Sequence, residues 1–75
     1  RAKGALERAE KRVAAEEQAL DELESRLNEP ETAADYEASR GLYEQLEAQR
    51  GAVDAAYAAW ERAEAEYKAL PEEDT

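Results

Sequence analysis

The chain has no cysteine, no histidine, no methionine and no phenylalanine. Without cysteine there can be no disulfide framework and no thiolate metal site. Without histidine there is no imidazole ligand and no imidazole acid–base chemistry. With both residues gone, Ser-His and Cys-His nucleophiles and zinc-ligand spacings are excluded together. Glycine is scarce, and Gly4, Gly41 and Gly51 stand alone, so no phosphate-cradling loop is present. No apolar run approaches the roughly 20 residues of a membrane span, so no membrane partner is expected. A signal-peptide pattern is also missing, and the sequence begins at Arg1. These features read as a fragment of a longer, cytoplasmic protein.

What remains is short and charged. Seventy-five residues make one small domain, too small to enclose a deep pocket. The carboxylate pairs Glu16-Glu17, Asp21-Glu22 and Glu72-Glu73 are no more than chance supplies among 20 acidic residues. With no concave site to perturb a pKa, no catalytic, cofactor-binding or metal-binding residue is expected in this chain. Large apolar side chains contribute about 1.5–3 kcal/mol each on burial. Ordering costs roughly 1.5 kcal/mol per residue, which leaves a small helical fold marginal. Eighteen alanines favour helix throughout.

The residues that are apolar recur at alternating steps of four and three. In the first half the seam is Ala2, Leu6, Ala9, Val13, Glu16, Leu20, Leu23 and Leu27. In the second half it is Leu42, Leu46, Gln49, Val53, Ala56, Trp60, Ala63, Tyr67 and Leu70. That spacing keeps one narrow stripe facing a partner helix. It predicts an all-α fold, a two-helix antiparallel coiled-coil hairpin. One helix covers about 2–27, a loop about 28–34, a second helix about 35–70, and an acidic tail 71–75. Asn28-Glu29-Pro30 stops the first helix, with Asn28 suited to a left-handed cap and Pro30 disfavouring helix before it. Thr32 is the expected N-cap of the second helix, with Asp35 three residues on. A link this short folds the helices back on each other.

Size matching favours a register in which Leu27 faces Leu42, Val13 faces Ala56, Leu6 faces Ala63, Leu23 meets Leu46 and Ala9 meets Trp60. It also sets Glu17 beside Arg50 as a flanking ion pair. A shorter register pairs Glu16 with Gln49 in one polar layer. In either, Glu16 sits on the seam and acts as a register-fixing polar position.

Charge is unevenly spread beneath the net −10. Residues 1–12 hold five cations against two acids, whereas residues 21–37 hold seven acids and only Arg26. Tyr36, Tyr43 and Tyr57 share one heptad position beside the seam, with Arg50 completing the row. Tyrosines there cover the core while leaving hydroxyls in water. Aromatics with arginine also serve at protein interfaces and on single-stranded nucleic acid.

Within this frame lie Asn28-Glu29-Pro30, then Asp35-Tyr36, then Tyr57-Ala58-Ala59-Trp60-Glu61, in that order. With the heptads, over about residues 5–70, this set resembles the C-terminal coiled-coil domain of ABC-F ATPases, the Uup-like group. The resemblance implies a parent with two ATP-binding cassettes, using ATP and Mg, that acts on ribosomes or translation. It implies an accessory arm that binds nucleic acid, positions the ATPase on its target and is not itself catalytic. Candidate contacts are then Lys3, Arg8, Lys11, Arg12, Arg40 and Arg50, with Tyr36, Tyr43 and Tyr57. The acidic balance departs from what a nucleic-acid arm wants, and keeps open a protein-docking or spacer role and self-association. A second resemblance is to the helical-hairpin arms of valyl-type aminoacyl-tRNA synthetases. It rests on heptads and an Asn-Pro-like loop, and those arms are more basic.

Overall fold

The computed structural model describes residues 1–70; the acidic tail at 71–75 lies outside the described residues. The fold is all-α. Helix α1 is Ala2–Leu27, α2 is Pro30–Ala34 and α3 is Tyr36–Lys68. No strand occurs among the described residues.

Helix α1 is built mainly from Ala, Leu, Glu, Lys and Arg, all strong helix formers, and carries Arg26 in its last turn, where a cation suits the exposed carbonyls. Its end differs from the expected left-handed cap. Asn28 keeps right-handed angles (φ −84°, ψ −6°), and its N–H reaches the carbonyls of Glu24 and Ser25. The break falls one residue later. Glu29 is extended (φ −71°, ψ 132°) because the ring of Pro30 crowds the helical conformation of the residue before it.

The segment expected as loop contains a helical turn. Pro30 opens α2, where its fixed φ suits a first helical position. The carbonyl of Glu29 accepts from the N–H of Ala33 at 2.9 Å. This turn also moves the expected cap. Thr32 lies inside α2 and lacks the extended backbone that a cap residue needs. Asp35 has it (φ −103°, ψ 106°), and its Oδ1 accepts from the N–H of Ala38 at 3.2 Å to begin α3. Thr32 contributes its carbonyl instead, which accepts from the Ser39 hydroxyl at 2.7 Å and from the Asp35 N–H at 3.0 Å.

Helix α1 lies along α3 in a body of 59 × 15 × 12 Å. Arg1 and Ala2 share a concavity with Glu66 and Leu70, Glu10 and Val13 share another with Tyr57 and Trp60, and Glu16 bonds Gln49. Rising numbers on α1 thus meet falling numbers on α3. Every seam residue of α1 is half-buried and none is fully buried. On α3 the seam supplies the buried residues Leu42, Leu46, Ala56 and Ala63. Tyr67 and Leu70, also on the seam, are 37% and 42% exposed, because α1 offers only small or charged residues at that end.

Glu16 and Gln49 pair across the seam, as the shorter register supposed, while Glu10 and Val13 lie with Tyr57 and Trp60 at the offset of the size-matched one. Gln49 Nε2 donates to Glu16 Oε1 at 2.6 Å and to the Glu16 carbonyl at 2.9 Å. Two half-buried polar side chains on one seam each need a partner, and the glutamine side chain is long enough to reach along the seam to find it. The expected Glu17–Arg50 ion pair is absent among the described residues. Glu17 instead accepts a hydrogen bond from the Tyr57 hydroxyl.

Candidate interaction faces

The seam divides each helix surface into two flanks, and the Tyr57–Glu17 hydrogen bond identifies which flanks meet. Glu10, Glu17 and Glu24 of α1 repeat every seven residues on the flank that faces the row Tyr36, Tyr43, Arg50 and Tyr57 of α3. Arg40 and Lys3 fall on this same side. So do Glu47, Asp54 and Glu61, farther from the seam on α3. Carboxylates outnumber cations here, and Arg40 is matched by Glu44, with Nε 3.9 Å from Oε2. Both groups of that pair are exposed, so it contributes little.

The opposite flank has a different chemistry. Arg1, Arg8, Arg12 and Arg26 recur on it along α1, and Arg62 joins them from α3. Lys11 stands at its outer edge. Between the arginines lie alanines: Ala19, Ala52 and Ala59 half-buried beside the seam, and Ala15, Ala48 and Ala55 exposed. The carboxylates on this flank are Glu22 and Glu66. Trp60 sits level with Glu10 and Val13, so Arg62, about 3 Å farther along α3, falls beside Arg8. Arg8, Arg12 and Arg62 are exposed and make no ion pair with any described residue.

The structure therefore divides the residues singled out from sequence. It brings Arg8, Lys11 and Arg12 together on one side. It places Lys3, Arg40 and Arg50 with the three tyrosines on the other, and Arg40 lies near the turn, about 30 Å along the rod from Arg12. Arg26 and Arg62 were not singled out. Their heptad positions, which match those of Arg12 and of the outer flank of α3, were the signal that could have found them.

The tyrosines differ among themselves. Tyr36 and Tyr43 are 76% and 60% exposed, whereas Tyr57 is 39% exposed and donates to Glu17. That hydrogen bond, then desolvation, then the negative charge of Glu17 raise the Tyr57 hydroxyl above its ordinary value of 10.0. A phenol held protonated against a carboxylate is a clasp between helices, not a reactive group.

Among the described residues, no grouping of acidic side chains has the geometry of a metal site, and no helix is long and apolar enough to cross a membrane. The concavities are shallow and lie on the surface of the rod. The arrangement can present charged faces to a partner.

Residues 1–65 match the family described as the ABC transporter C-terminal domain. No curated protein and no solved structure gives a match. The chain belongs to the ABC transporter C-terminal domain family. It is an accessory domain of an ABC protein and not a catalytic one.

Proposed function

We propose that this accessory domain is an antiparallel coiled-coil hairpin that positions its parent, a cytoplasmic ATPase of the ABC-F, Uup-like kind binding ATP and Mg in its own cassettes, on a ribosome or other nucleic-acid target. The observation that carries this reading is the gathering of Arg8, Arg12 and Arg62 from two helices on one flank, with Lys11 at its edge. A chain of net charge −10 repels phosphate from a distance. Gathering five of its seven arginines on one face gives it a side that phosphate can approach. The alanines between them keep that side flat, so a helical backbone can lie close against it. Arginine adds bidentate hydrogen bonding to phosphate oxygens.

The polar layer supports the same role. A positioning arm must hold its contact groups at fixed height, and Gln49 bonded to both the carboxylate and the carbonyl of Glu16 opposes slippage of α1 along α3. The test is cosedimentation of the chain with ribosomes or duplex RNA between about 50 and 200 mM salt. With about four phosphates neutralised, the logarithm of affinity should fall with the logarithm of salt at a slope of roughly −3.6. Absence of binding, or binding indifferent to salt, contradicts the reading.

A further inference from the structure

Tyr36 and Tyr43 are the most exposed large apolar side chains among the described residues. Neither donates or accepts a side-chain hydrogen bond within the described fold, in contrast to Tyr57. They project from the first two turns of α3, about 10 Å apart along its axis. The seam is closed at this end by Leu42 and Leu46, each 5% exposed, so the two rings are not needed to cover it. Exposed rings on a well-packed end of a helix pair are a surface, and their surroundings define what it fits. Glu24 of α1 faces them across the flank, Asp35 caps the helix that carries them, and the stretch 21–37 as a whole holds seven acids against Arg26. Arg26 lies on the opposite flank, and Arg40, the nearest cation on this one, is matched by Glu44.

We propose that this turn end is a docking surface for a lysine- and arginine-rich segment of a partner protein. Its cationic side chains would stack on Tyr36 and Tyr43 and meet the carboxylates around them. A tyrosine face attracts a cation through its ring quadrupole, and adjacent carboxylates supply the complementary charge. Phosphate backbones and anionic lipid headgroups are repelled by the same carboxylates, which sets this surface apart from the arginine flank. A second copy is a poorer occupant, since each copy brings a net charge of −10.

The test uses a fluorescently labelled, 12-residue peptide of mixed lysine and arginine, with a glutamate peptide of equal length as control, followed by anisotropy. The basic peptide should bind and the acidic one should not. Tyr36→Ser with Tyr43→Ser should weaken binding about tenfold, the loss of two exposed cation–π contacts, while helicity by circular dichroism stays at the wild-type level. Asp54→Asn with Glu61→Gln removes two negative charges far from the turn, where the tyrosine pair removes none, and should leave affinity within about twofold of wild type. Weakening by the distant pair that equals or exceeds that by the tyrosine pair would place the attraction in overall charge and not at the turn, and overturn the proposal. So would peptide binding that ignores the tyrosines, binding of duplex RNA blocked by the tyrosine pair, or occupancy of the surface by a second copy in sedimentation. Arg8→Ala with Arg12→Ala should leave peptide binding unchanged, so failure here is distinguishable from failure of the nucleic-acid reading.

Discussion

The polar layer gives the sharpest energetic prediction. Gln49 makes two hydrogen bonds from one amide nitrogen, one to the Glu16 carboxylate at 2.6 Å and one to the Glu16 carbonyl at 2.9 Å. Gln49→Ala removes both and leaves a half-buried carboxylate on the seam. A hydrogen bond to a charged group is worth about 1.5–3 kcal/mol and a neutral one about 0.5–1.5. Water can reach this half-buried layer and recover part of that, and alanine gains a few tenths in helix propensity. The expected net loss is about 2 kcal/mol, or roughly 8–16 °C in Tm for a domain of this size. Glu16→Ala removes the carboxylate but keeps the carbonyl acceptor, so it should cost less, about 1 kcal/mol. A double-mutant cycle on the two alanine variants isolates the carboxylate–amide contact. Thermal unfolding followed at 222 nm should give a coupling energy of about 1–1.5 kcal/mol. Additivity within about 0.3 kcal/mol would mean that the two side chains do not engage in solution, and would refute the polar layer.

Three further outcomes follow from local features. Gly41→Ala and Gly51→Ala should each stabilise the chain by about 0.5–1 kcal/mol, since an added Cβ meets nothing within 4 Å at either site; a fall in Tm at either site would contradict this. Asp35→Ala should cost about 1 kcal/mol, because the Ala38 N–H loses its acceptor at the start of α3; unchanged urea unfolding would show that the cap is idle. In an ultraviolet titration, one of the four tyrosines should ionise above the rest, and Glu17→Ala should remove that late component. Because the folded value for Tyr57 is raised, its contribution to stability is complete below pH 10 and is lost as pH rises through the folded value.

The seam was legible because its period is unbroken. Each α1 residue on the 3-4 spacing is half-buried, and the four buried residues among those described, Leu42, Leu46, Ala56 and Ala63, all fall on it. Pro30 marked the reversal for an equally local reason. The cap was misplaced because Thr32 and Asp35 are both good cap residues, and only the one-turn helix α2 decides between them. The Glu16–Gln49 contact was legible as a need of two polar seam residues for a partner, but its geometry depends on how far the glutamine side chain reaches along the seam. Contact residues were the least legible. A linear cluster at residues 3–12 reads as one patch, yet helical geometry sends Lys3 to the acidic flank and brings in Arg62 from 50 residues away.

That sorting of charge is what the functional account rests on, and Arg62 against Arg50 tests it most directly. Both are exposed arginines on α3, one on each flank, and each replacement by alanine changes net charge equally. Duplex RNA affinity at about 100 mM salt should drop severalfold with Arg62→Ala, the loss of one phosphate contact, and stay near wild type with Arg50→Ala. Equal losses from the two variants, or a larger loss from Arg50→Ala, would contradict the account.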